Sequence, residues 1–503
     1  MSRLLGISCM FCLTAKAFAQ GNASWSLPPP TFGANGGADW GAGAWPPSDV
    51  GTTLVPQAAD SELEDLLAQV DPVRIQNTIQ TLTDFGTRHT LSNQTNPVRG
   101  IGAARDWILK EMRGYAAASN GAMAITLPSY IQQPTTRIPF AVNISDVVAT
   151  VRGSGDPNRA YVITGHYDSR RLDVQDYTGD APGSDDNASG TAVVLELVRL
   201  LATKKPYATI ILAATAGEEQ SLFGATYLAQ TLKNSSVNVE ANLNNDIVGT
   251  GSNEPYNSIN EHTIRLFGAG TNYVENTTIA NVLISIGGEN DTPARNLGRF
   301  VAEVNEGAVT STDMQVALVY RADRFFRGGD HEAFLEQGFP GVRFTEPNED
   351  FRHQHQDPRT QNGTLYGDDI QFVDFNYTAR VARVNLAALW SLANAPALPT
   401  NVIFDVNVGE PAANSNTPVE NLENETQFYW NVQNSELLQG YELVWRPSSQ
   451  QQWTHSYYVG KVNQVKVNLS KDNVVFGLRA VGTNGKKSPA VFPLPDPAQY
   501  SYT

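Results

Sequence analysis

Apolar residues recur along this chain with three different spacings, and each spacing predicts a different kind of element. Over residues 61–115 they return every three or four positions, as Trp107, Ile108 and Met112 do, which predicts helices at Ser61–Ala68, Pro72–Phe85 and Gly102–Tyr115. Between residues 146 and 249 the pattern becomes short, almost continuous apolar runs: Ala160–Thr164, Ala208–Ala214 and Leu243–Val248. Helical patterns separate these runs. One follows Ser189-Gly190 and is stopped by Pro206, with Lys204-Lys205 just before the stop; the other covers Leu222–Leu232. A β-α-β-α-β alternation implies parallel strands with helices on both faces. Asp146–Val151 and Ala160–Thr164, separated by Gly153-Ser-Gly-Asp-Pro157, predict a hairpin leading into the first of these strands. Further on, a helix at Asp330–Gln337 leads into Pro340–Thr345, and a last helix runs from Asn376 to Ala393. After Ala395-Pro-Ala-Leu-Pro-Thr400 the spacing drops to strict alternation at Thr426–Trp430, Gly440–Trp445, Val462–Leu469 and Val474–Val481, the pattern of a β-sandwich. The expected fold class is α/β, with a mixed, mostly parallel central sheet and helices on both faces over residues 61–394, then an all-β sandwich over 400–503.

A length of 503 residues exceeds what one hydrophobic core supports, in keeping with this division. The net charge of −16 argues against nucleic acid or an anionic membrane as partner, because both need clustered Lys and Arg. Met1–Ala19 has Arg3, an apolar stretch over Leu4–Ala15 and Ala17-Phe-Ala19, the pattern of a cleaved signal peptide, so the protein is expected to be secreted. That stretch is too short to span a bilayer. Cys9 and Cys12 both fall inside it, leaving a mature chain without disulfides, thiolate nucleophiles or Cys-ligated zinc. Residues 20–60, rich in Gly and Pro, read as a linker or pro-segment. Sequons at Asn22, Asn93, Asn143, Asn234, Asn276, Asn362, Asn376, Asn424 and Asn468 permit glycosylation of an exported chain.

The candidate chemistry sits where the apolar runs end. The first run leads into Gly165-His166-Tyr-Asp168, the second into Ala216-Gly-Glu218-Glu219, and the third contains Asp246; Gly183-Ser-Asp185-Asp186-Asn187-Ala-Ser-Gly190 lies between the first two. In open α/β sheets ligands bind beyond the carboxyl ends of the strands. Singly, each residue has a structural explanation: a turn cap for Asp168, a helix cap for Asp186, a solvated helix start for Glu218-Glu219. Together, in this order, they provide one imidazole and several carboxylates on one sheet edge, the makings of a zinc hydrolase. Peptide hydrolysis needs a Lewis acid, an acidified water and a base, and two zinc ions sharing a carboxylate supply the first two.

As a set, these motifs resemble the co-catalytic zinc aminopeptidases of the bacterial leucyl aminopeptidase type, relatives of glutamate carboxypeptidase and, more distantly, of glutaminyl cyclase. The resemblance covers residues 70 to 394 and implies a zinc exopeptidase-like fold and two zinc ions. By motif it implies that His166, Asp186, Glu219 and Asp246 are metal ligands, with Asp186 bridging, and that Glu218 is the general base. Asp168 matches the carboxylate that orients the first histidine. The last ligand should be a histidine in Phe351-Arg-His353-Gln-His355-Gln-Asp357. The family spaces its aromatic four residues before the ligand, as Phe351 is before His355, which makes His355 the expected ligand; Asp357, four residues after His353, is the competing clue for that one. Asp330-His331 resembles a family element near the site and is assigned no metal.

The Tyr441/Trp445 strand and the Phe476–Gly485 segment resemble a fibronectin type III module, which suggests contact with a surface or polymer. The leading expectation is a secreted aminopeptidase acting on peptides with a free N-terminus. A carboxypeptidase-type enzyme or glutaminyl cyclase on the same fold is the alternative, with a non-catalytic binding protein as the third reading; His166 disfavours the cyclase and the full ligand set disfavours the binder. Every proposed ligand precedes Pro399, so the sandwich is expected to be dispensable for the chemistry.

Overall fold

In the computed structural model, residues 50–253, 258–270, 277–406 and 425–497 are described. The expected signal peptide and most of the 20–60 segment lie outside them.

The large domain is built on an eight-stranded sheet in the order Gln315–Val319, Thr263–Gly268, Gly341–Thr345, Asn238–Asn245, Asp156–His166, Ala208–Thr215, Val147–Val151 and Met123–Thr126. Gly341–Thr345, Asn238–Asn245, Asp156–His166 and Ala208–Thr215 are mutually parallel; Thr263–Gly268 joins them antiparallel on one side and pairs parallel with Gln315–Val319, and Val147–Val151 and Met123–Thr126 follow antiparallel on the other. The sheet is therefore mixed with a parallel centre. Ala208–Thr215 is buried at every position, which explains why it appears in the sequence as a continuous apolar run. Helix Gly190–Leu201 is buried almost all round and packs between the sheet and helices Pro72–Asp84, Ile101–Ala116 and Phe375–Ala393. Among the described residues no helix is long and apolar enough to cross a membrane.

The hairpin expected between residues 146 and 164 does not form. Val147–Val151 pairs antiparallel with Ala208–Thr215, which separates it from Asp156–His166. The intervening loop bonds to the segment before the inserted strand instead: Ser154 N donates to Pro206 O at 2.9 Å and Asp156 N to Tyr207 O at 2.9 Å. Gly153 permits this close approach, since a Cβ there would lie 2.6 Å from the Ala208 carbonyl carbon. Two buried runs pairing in parallel outweigh a local turn, and nothing in the local spacing reveals it.

The described residues after 399, together with Thr52–Thr53, form two four-stranded sheets around Phe428, Trp430, Tyr441, Trp445 and Phe476. One sheet includes Thr52–Thr53, paired with His455–Ser456, so the end of the presumed linker is an edge strand of the sandwich. Trp445 Nε1 donates to Val50 O at 2.9 Å, fixing that segment. The sandwich also reaches the large domain through buried ion pairs. Arg446 Nη2 lies 2.7 Å from Asp291 Oδ2, whose other oxygen is 2.9 Å from Arg299 Nη1, and Arg479 Nη1 lies 2.8 Å from Glu303.

Candidate metal centre

Four parallel strands end at one sheet edge, and the loops beyond them carry the predicted site residues. His166 is the last residue of its strand, Glu218 and Glu219 lie just past Thr215, Asp246 follows Asn245, and His355 lies in the loop after Gly341–Thr345. Asp186 enters from the turn Ser184–Ser189 that leads into helix Gly190–Leu201.

These side chains converge. His166 Nε2 is 3.4 Å from Asp246 Oδ1 and 3.4 Å from Asp186 Oδ1. His355 Nε2 is 2.8 Å from Asp186 Oδ2 and 3.1 Å from Glu219 Oε1. Asp186 thus turns one oxygen toward each histidine. Potential ligand atoms of His166, Asp186 and Asp246 all lie within 4.8 Å of one another, and so do those of Asp186, Glu219 and His355. Glu218 belongs to neither group; its Oε2 is 4.0 Å from His166 Nε2 and its side chain lines a cavity of about 470 Å³.

Between the two candidate histidines, the contacts differ plainly. His353 stacks on Phe372 with ring centroids 3.5 Å apart, its Nδ1 is 3.2 Å from Gly367 O, and it approaches neither group. Asp357, the feature that spoke for His353, accepts from Arg171 Nε at 3.0 Å. His331 meets the Ala322 carbonyl at 2.9 Å and stays outside both groups, in a separate set of close donor atoms with Asp323 and Glu332.

Asp168 takes a broader part than orienting a histidine. Its carboxylate accepts from Thr90 Oγ1 at 3.0 Å and from the backbone N–H groups of Glu218 and Glu219 at 3.3 and 3.2 Å. The nearest acceptor to His166 Nδ1 is the Asp168 carbonyl at 3.1 Å, with the carboxylate at 3.4 Å. One residue therefore sets both the first histidine and the Glu218-Glu219 turn.

Three supports of the site carry no recognisable motif. Asp368 accepts from the backbone N–H groups of Asp185 and Asp186, each at 2.7 Å, holding the turn that carries Asp186. Arg343, fully buried, places Nη2 3.0 Å from Asp246 Oδ2 and Nη1 2.8 Å from Asp323. Arg170 places Nε 2.8 Å from Glu219 Oε2 and Nη2 2.6 Å from His355 Nδ1. Asp368 and Arg343 lie far along the chain from the groups they hold. Arg170, four residues after His166, was close enough to notice but belongs to no motif.

The cluster holds more negative charge than it can balance by itself. Burial lowers the affinity of His355 for its proton, but Glu219 and Asp186 outweigh it and push the pKa up to about 10. His166 is raised well above the usual histidine range: burial opposes the proton, and Asp246 and Glu218 favour it more strongly. Burial holds Glu218 well above the ordinary carboxylate range, with His166 working against it. Such a cluster attracts cations.

Comparison with known proteins decides the kind of cation. Residues 146–366 match peptidase family M28. A probable zinc metalloprotease of Pyrenophora teres f. teres is 54% identical over 459 residues, covering 90% of this chain and 91% of that protein. The chain belongs to peptidase family M28. A second probable zinc metalloprotease, from Pyricularia oryzae, is 52% identical over 464 residues, with 90% of this chain and 88% of that protein covered. Among solved structures, LapB from Legionella pneumophila is similar at 21% identity and a TM-score of 0.48, over 68% of this chain and 78% of that one.

As a member of this family the protein is a zinc metallopeptidase, and its residues fit the metal. Imidazole nitrogen and carboxylate oxygen are ordinary zinc donors. Glu219 Oε1 is buried, makes no well-aligned hydrogen bond and faces His355 Nε2 at 3.1 Å, so a lone pair is left for an ion. Gly329 passes so close to the site that a Cβ there would lie 3.2 Å from Asp246 Oδ2, and a larger residue would crowd that carboxylate.

Proposed function

We propose that the protein is a secreted aminopeptidase with a co-catalytic pair of zinc ions. His166 and Asp246 would hold one ion, Glu219 and His355 the other, with Asp186 shared between them. The observation that carries the reading is the Asp186 carboxylate, with one oxygen near each histidine. Zinc bound there supplies Lewis acidity at the scissile carbonyl and lowers the pKa of water. Glu218 takes the proton of the attacking water and passes it to the leaving amine. Its place on the cavity wall, outside both ligand groups, leaves its carboxylate free to do so. Burial, which favours its neutral form, makes it a better proton carrier than a solvated glutamate. Asp168 holds the backbone that sets the position of Glu218.

A cavity of about 470 Å³ is of small-molecule size and suits a chain end better than a long extended segment. Glu332 and Glu336 on its wall are suited to the ammonium group of a free N-terminus. The apolar stretch before Ala17-Phe-Ala19 supports export, and of the sequons outside it Asn93, Asn234, Asn362, Asn376 and Asn468 are exposed, as glycosylation in a secretory pathway requires.

Paired substrates test the exopeptidase reading. An aminoacyl chromogen with a free amine should be cleaved at least about 10²-fold faster than its N-acetylated form, because acetylation removes the charge that the carboxylates receive. Equal rates would rule out an aminopeptidase and leave the zinc chemistry intact. The ligand assignment is tested separately. His355→Ala should lose about one zinc ion per chain, whereas His353→Ala should keep the wild-type content with at most a modest change in rate. Zinc loss in His353→Ala alone would move the ligand two residues upstream.

A further inference from the structure

Among the basic groups on the cavity wall, Arg324 and Arg327 both donate to Glu349, at 2.7 and 2.9 Å. Arg137 and Arg170 are placed differently: both engage Glu219, Arg137 through Nη1 to its carbonyl oxygen at 2.8 Å and Arg170 through Nε to Oε2 at 2.8 Å. No carboxylate pairs with Arg137 among the described residues. Two guanidinium groups thus border the cavity beside one proposed zinc ligand.

Arg170 Nη2 meets a ring nitrogen rather than a carboxylate, His355 Nδ1 at 2.6 Å. Of the two arginines, the Glu219 carboxylate serves Arg170 alone, and Arg137, exposed on the cavity wall, keeps its charge for an incoming carboxylate.

We infer that Arg137 and Arg170 form a carboxylate-recognition element, so that the enzyme favours peptides carrying a carboxylate beside the scissile bond. The inference rests on the aminopeptidase reading, in which the same cavity takes the substrate amine. The carboxylate comes from either of two sources, the side chain of an N-terminal Asp or Glu, or the terminal carboxylate of a dipeptide.

Two substrate pairs of equal shape separate the sources. Glutamyl against glutaminyl p-nitroanilide isolates the side-chain charge, and Leu-Gly against Leu-Gly amide isolates the terminal charge. The charged member of at least one pair should show a kcat/KM on the order of 10- to 100-fold higher, the worth of one or two charge-assisted hydrogen bonds. Arg137→Met, at an exposed position, should reduce that ratio to below about 3-fold with zinc content unchanged. Free glutamate and leucine provide a readout independent of turnover: calorimetry on the zinc-loaded wild type should detect tighter glutamate binding if the side-chain pair shows the preference, and this preference should vanish in Arg137→Met. Ratios within about 3-fold for both pairs in the wild type, or a preference that survives in both Arg137→Met and Arg170→Met, would overturn the inference. Cleavage of N-acetylglutamyl p-nitroanilide as fast as the unblocked form would instead overturn the aminopeptidase reading, while the charge ratios would still report on the arginine pair.

Discussion

Glu218→Gln should lower turnover by at least about 10²-fold, the scale of losing a general base, while the purified protein keeps its zinc. Glutamine preserves the volume of the side chain and its place on the cavity wall but cannot accept the proton. Glu219→Gln should behave in the opposite order, losing metal first and activity as a consequence, because its Oε1 stands 3.1 Å from His355 Nε2 inside a ligand group. Elemental analysis and steady-state kinetics on the two variants check this together. A Glu218→Gln protein depleted of zinc beside a Glu219→Gln protein that retains it would reverse the two roles.

The second large effect concerns the sandwich. Asp291→Ala should cost about 3–5 kcal/mol of stability, the range for removing one partner of a buried ion pair. Asp291 lies between two arginines from different parts of the chain: Arg299 of the large domain at 2.9 Å, and Arg446 of the sandwich at 2.7 Å. Its loss strands both cations out of solvent. Arg446→Met should be milder, because Asp291 and Arg299 still pair. Chemical unfolding of the whole chain measures both variants, and an unchanged midpoint for Asp291→Ala would contradict the account. For the same reason a chain ending at Ala397 should fold poorly. It lacks Arg446 and Arg479, and it leaves Thr52–Thr53 without the strand they pair with. A soluble truncation with full zinc content and wild-type turnover would restore the simpler view that the sandwich is a separable attachment.

Where chemistry depends on residues close together in sequence, it was legible. The runs ending at His166 and Thr215 and the helix from Gly190 could be read because parallel strands buried on both faces must be apolar throughout. Asp186 was separable from Asp185 by motif; in the structure Asp186 faces both histidines, while Asp185 Oδ1 turns back to accept from Gly249 N. Strand order was not legible, because the insertion of Ala208–Thr215 beside Val147–Val151 is decided by pairing across about 60 residues of chain. Asp368 and Arg343 escaped for a related reason: a carboxylate that holds backbone N–H groups, or a guanidinium behind a ligand, needs only to arrive at the right place in space. Arg446 and Asp291 look like ordinary surface charges in the sequence, and only the packing of the two domains shows that they are buried together.

The central claim, that two sets of ligands sharing Asp186 hold zinc for catalysis, is tested most directly by following zinc content and turnover together through chelation and reconstitution. About two zinc ions per chain are expected as purified, with loss of activity when they are removed and recovery as zinc is restored. Full activity in a protein shown by elemental analysis to be metal-free would contradict it.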